Sequence, residues 1–142
     1  MKINDVGDYT LKLLKEYLPN NYHEWEVEFF GSKEIAGKCF CYRKIIQIST
    51  FVVKHGTAYQ IQDVVKHEVA HAIAFHIDNN CIDHGDLWKY ICDYMGCTGT
   101  LSVSIDENYD SEDINYSINL TVLMSSMTNE KDKDNDYSSL PW

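Results

Sequence analysis

The chain has 142 residues, 44% of them hydrophobic and 13% aromatic, and a formal net charge of −10. That is apolar material for one domain burying about two-thirds of its unfolded surface with no disulfide to hold it. No apolar run approaches a membrane span, residues 1–20 lack the basic start and small-residue cleavage site of a signal peptide, and five cysteines without C-x-x-C spacing fit reduced thiols, so a cytoplasmic chain without a membrane anchor is expected.

Residues 5–18 predict an amphipathic helix with Val6, Tyr9, Leu13, Leu14 and Tyr17 inward, stopped by Pro19 and Asn20. Residues 24–30 alternate, placing Trp25, Val27 and Phe29 on one face of a strand. Residues 38–49 read as one or two further strands, bent near Arg43 and Lys44. Thr57 and Gln60 then form a capping-box pattern, with Thr57 as N-cap and Gln60 reaching back from the third helical position. From there Ile61, Val64, Val65, Val69, Ala72, Ile73 and Ile77 recur at helical spacing up to the polar stop Asp78, Asn79 and Asn80, which predicts a helix of about five to six turns.

The second half of that helix carries His67, Glu68 and His71. Histidines four residues apart lie one turn apart on one face, so both imidazoles can reach one ion, with the glutamate beside them; this is the geometry of a catalytic zinc site. The pattern is expected by accident in only about one or two per cent of chains with this many histidines and glutamates. A catalytic zinc needs a third protein ligand while keeping one position for water. His76 is nearest in sequence but falls on the opposite side of the helix. The metzincin continuation would require Gly at position 74 and His at 77, where Ala74 and Ile77 stand. His84 remains: it follows a short loop and opens a second amphipathic helix, whose Leu87, Trp88, Ile91, Cys92 and Met95 precede Gly96. Asp83 and Asp86 flank His84, either to orient it or to cap the helix start.

Beyond Cys97 the sequence has no cysteine. Residues 100–105 and 114–122 alternate polar and apolar, predicting a hairpin joined by the acidic loop 106–113. Residues 1–127 are expected to form one domain. Residues 128–142 form an acidic tail, low in apolar content and expected to be disordered.

The run His67, Glu68, Val69, Ala70, His71, Ala72, followed by His84, Gly85, Trp88 and Lys89, resembles the SprT-like or Spartan-type metalloprotease domains. Upstream, Gly37 and the stretch from Arg43 to Ser49 resemble the strand that precedes the active-site helix in that family. The resemblance spans about residues 5–100. It implies that His67, His71 and His84 bind one zinc, that Glu68 is the general base, and that the chain is a soluble peptidase of protein substrates, in some members bound or crosslinked to DNA. Many relatives carry a zinc ribbon or DNA-binding segments after the protease core, and here a hairpin without metal ligands is expected in that place.

The expected fold is α+β: an N-terminal helix, a small antiparallel sheet, the metal helix and its successor, then the hairpin. The expected function is zinc-dependent hydrolysis of peptide bonds. The alternative is a zinc-stabilised, catalytically idle recruitment module acting through its acidic surface. Residues 1–60 carry a balance of +1 and residues 61–142 one of −11, so direct nucleic-acid binding is not expected of the isolated chain, although DNA-associated substrates fit. The basic candidates are Lys38, Arg43, Lys44 and Lys54, interleaved with Phe40 and Tyr42.

Overall fold

The computed structural model describes residues 1–110 and the backbone of residues 119–123, and it is an α+β fold. The first helix, α1 (Ile3–Tyr17), starts two residues earlier than the apolar spacing predicts, because the Asp5 carboxylate accepts a hydrogen bond from the Lys2 backbone amide at 3.0 Å. Its buried stripe is Val6, Thr10, Leu13 and Leu14, with Tyr9 and Tyr17 half-buried beside it. Thr10 is tolerated in that stripe because its hydroxyl donates to the Val6 carbonyl at 2.7 Å. The helix ends ahead of Leu18 and Pro19, where the proline ring disfavours helical backbone for the residue before it.

Three strands follow: β1 (Glu26–Phe30), β2 (Gly37–Phe40) and β3 (Ile45–Ser49), in the order β1-β3-β2. The predicted bend at Arg43 and Lys44 is a tight turn, with Lys44 in the left-handed region at φ 58° and its amide bonded to the Cys41 carbonyl at 3.2 Å. β2 and β3 pair antiparallel, but β1 and β3 are parallel, so the sheet is mixed and not the wholly antiparallel one expected. The reason is the connection. Residues 31–36 carry the chain across about two strand spacings to the far edge, and the turn then returns β3 into the gap. Ser49 closes the crossing, its amide bonded to Ala36 O at 2.8 Å and its hydroxyl to Ser32 O at 2.5 Å. As an edge strand, β1 is less cleanly two-faced than its alternation suggested; Trp25 just before it is buried, but Val27, Glu28, Phe29 and Phe30 are all half-buried.

A short helix with no counterpart among the predicted elements, α2 (Thr50–His55), is capped by the Ser49 hydroxyl and ends at Gly56. Next comes α3 (Ala58–Ile77), opened by the predicted capping box: the Gln60 amide donates to Thr57 Oγ1 at 3.1 Å and the Thr57 amide to Gln60 Oε1 at 2.9 Å. This helix runs through the middle of the molecule, packed against α1, β2 and β3. Ile61, Val64, Val65, Val69, Ala70, Ala72 and Ala74 are all at 0% exposure. Each large aliphatic side chain buried there stabilises the fold by about 1.5–3 kcal/mol. Ile77, expected to continue the stripe, is exposed because the helix has outrun the core by its last turn.

On the other side of α3 lies α4 (Asp86–Met95), with Trp88, Ile91, Cys92 and Met95 inward and Gly96 as a left-handed cap at φ 78°. The five cysteines are all thiols. The hairpin is present as β4 (Ser102–Asp106) and β5 (Asn119–Leu123), antiparallel with Ser102 opposite Leu123. Residues 111–118 of the predicted second strand and loop, and the tail at 128–142, lie outside the described residues. The hairpin is tied to the body by Gln60 Nε2 donating to the Ser104 carbonyl at 2.6 Å and by the wholly buried Ile105. Among the described residues no helix is long and apolar enough to cross a membrane.

Candidate metal centre

His67 and His71 stand one turn apart on α3, both at 0% exposure. The chain then reverses through two side-chain-braced turns, with Asp78 Oδ1 accepting from the Asn80 amide at 3.0 Å and Asp83 Oδ1 from the Gly85 amide at 2.9 Å. That reversal returns His84 over the pair. Ligand atoms of His67, His71 and His84 all lie within 4.8 Å of one another, and His67 Nε2 is 3.3 Å from His84 Nε2. The three ring centroids are separated by 5.2, 5.3 and 4.9 Å, each pair edge-on. His76, in the last turn of α3, is exposed and outside this group. Asp83 serves the turn ahead of α4, and Asp86 lies exposed in the first turn of that helix.

The electrostatics suit metal ligation, which requires neutral imidazole. Burial, reinforced by the neighbouring imidazoles, holds His67 and His71 well below the usual histidine range. His84 is pushed down to about 4, chiefly by burial, with Lys89 adding to the effect and Asp83 opposing it. Three neutral nitrogen donors converging on one point form a set that a tetrahedral zinc accepts, with a position left for water or substrate.

Glu68 lies wholly buried beside the pair, and burial pushes its carboxyl well above the ordinary range, with Cys41 and Cys97 adding to the shift. Neither carboxylate oxygen has a hydrogen-bond partner among the described residues. A buried polar group left unsatisfied costs about 1–3 kcal/mol, so this arrangement is not explained by stability. β2 makes room for it. A Cβ added at Gly37 would stand 2.7 Å from Glu68 Oε2 and 3.1 Å from Glu68 Cγ, so any larger residue there would have to displace the Glu68 side chain. Gly37 is visible in the sequence but this contact is not, because nothing local in a strand says which helix side chain will face it.

A cavity of about 690 Å³ near the start of α1 and α2, lined by Ile3, Phe51 and Val53 among others, contains none of the three histidines. The chemistry locates the site, and the size of the cavity does not. Of the basic candidates, Lys44 pairs with Glu24, Lys38 lies 5.6 Å and Arg43 5.1 Å from the Phe40 ring centroid, and Lys54 lies exposed on α2. Phe40 itself is 4% exposed, whereas Tyr42 is 46% exposed and packs edge-on against Phe75.

The model of the SprT-like family matches residues 8–107, which takes in most of α1, every element from there to β4, the three histidines and Glu68. No curated protein and no solved structure matches the chain.

Proposed function

The chain belongs to the SprT-like family, and we propose that it is a zinc-dependent endopeptidase of protein substrates, with His67, His71 and His84 as the ligands and Glu68 as the general base. The observation that carries this reading is the pairing of three convergent imidazoles with a buried carboxylate whose oxygens have no other partner among the described residues. A zinc ion held there would polarise the scissile carbonyl and make a water molecule more acidic.

The protein's own residues do the rest. The histidines, kept neutral by burial, present their lone pairs to the ion and not a repelling charge. The Glu68 carboxylate, with its proton affinity raised by burial, takes the proton from the attacking water and returns it to the leaving amine. The missing side chain at Gly37 leaves the carboxylate the room it occupies. Substrates that are themselves DNA-associated fit the proposal, but direct contact of this chain with duplex DNA does not enter it.

Glu68→Gln tests the reading. The variant is expected to fold and keep its zinc while cleavage of an unfolded protein falls by at least about a hundredfold, the contribution of a positioned base. Chelation should silence the wild type. If wild type and variant prove equally inert across varied substrates yet capture the same cellular partner, the recruitment reading replaces the enzymatic one.

A further inference from the structure

Besides the three histidines and Glu68, one more side chain touches every ring of the set. Trp88, in the first turn of α4, is 1% exposed. Its indole centroid lies 4.5 Å from that of His67, 5.3 Å from His71 and 4.6 Å from His84. It stacks on His71 with 24° between the planes and meets His84 nearly edge-on at 80°. Its indole nitrogen donates to the backbone carbonyl of His67 at 3.3 Å. We propose that Trp88 is a positioning residue for the metal centre, setting the spacing and tilt of all three imidazoles; the inference rests on the metal reading above.

A tryptophan needed only for apolar bulk would be satisfied by aliphatic neighbours. This one hydrogen-bonds the helical turn that carries two of the ligands, and it follows the third ligand by four residues. The same indole therefore fixes the His67 and His71 pair on α3 and the approach of His84 from the loop before α4. Two effects follow. The stack limits rotation of the His71 ring, and the hydrogen bond sets the distance between α4 and the ligand-bearing turn. Ligands held convergent in advance lose less freedom on binding, so the ion is held more tightly. Partners that orient metal ligands are typically worth tenfold to a hundredfold in affinity.

The test uses the full chain, stripped of metal, with zinc affinity measured by chelator competition and the centre reported by the visible spectrum of bound cobalt(II). Trp88→Phe keeps an aromatic face and removes the hydrogen bond; several-fold weaker zinc binding and shifted cobalt bands are expected. Trp88→Leu removes both, and a loss of about tenfold to a hundredfold is expected. Thermal unfolding of the metal-stripped proteins reports the fold separately. A folded variant of either kind that binds zinc within about twofold of wild type, with unchanged cobalt bands, overturns the assignment. If the leucine variant does not fold, the phenylalanine variant decides alone. Wild-type protein that binds no zinc defeats the metal reading and this inference together, whereas wild type that binds and cleaves while both variants match it defeats this inference only.

Discussion

Glu68 stands in the core with an ionisable group that nothing around it relieves: both oxygens lack a hydrogen-bond partner among the described residues, and the nearby Cys41 and Cys97 push its proton affinity further up. A side chain kept under such conditions weakens the fold it sits in, and the sign of the effect with pH can be worked out. The folded-state pKa lies above the ordinary carboxylate value of 4.5, so the contribution of this group is fully present below that value and is lost as pH rises through the raised folded pKa. The histidines act in the opposite sense. Their folded values lie below 6.5, so their contribution is present above 6.5 and is lost as pH falls, towards about 4 for His84. Glu68→Gln in the metal-stripped protein is therefore expected to raise the unfolding temperature by a few degrees at about pH 8, with the advantage narrowing towards about pH 5. Thermal unfolding across pH checks this, and equal stability of the two proteins throughout would show that the carboxylate is relieved in some other way.

Between elements, the decisive approach is β2 against α3. Gly37 opens that strand where the helix presents Glu68, and a methyl group there would press on the carboxylate and lie tight against Gln47 O, 3.1 Å away. Gly37→Ala should keep zinc, because none of the three histidines is touched, and should lower hydrolysis on the order of a hundredfold, the effect of displacing a reacting group by about 1 Å. Cleavage measured beside metal content checks it; unaltered cleavage would mean that Glu68 can shift without cost. The helices that hold the site were legible because each is long enough for its period to show and is marked at its ends: Thr57 and Gln60 before α3, Gly96 after α4. α2 was not, since six residues are too few for a period, although Ser49 and Gly56 bracket it. The parallel pairing of β1 with β3 had no local sign either, because strand direction depends on where residues 31–36 cross. The candidate ligands could be read from spacing and the reversing loop, whereas the contacts of Gly37 and Trp88 with them could not, because both depend on how separate elements meet.

For the whole molecule, charge and site divide differently. Residues 61–142, which include all of α4 and all but the first three residues of α3, carry a balance of −11, and in the middle strands Lys44 pairs with Glu24 while Lys38 and Arg43 lie over the Phe40 ring. Duplex DNA at physiological salt is expected to bind the chain weakly or not at all. A submicromolar affinity that falls steeply with added salt would contradict this and would point to DNA as a direct partner. If three particular histidines make one working metal centre, metal content and proteolysis must rise and fall together with them. Wild type and His76→Ala are expected to carry one zinc per chain and to cleave an unfolded protein, whereas His84→Ala loses both the metal and the cleavage. Zinc lost from His76→Ala and retained by His84→Ala would mean that His76, and not His84, is the third ligand.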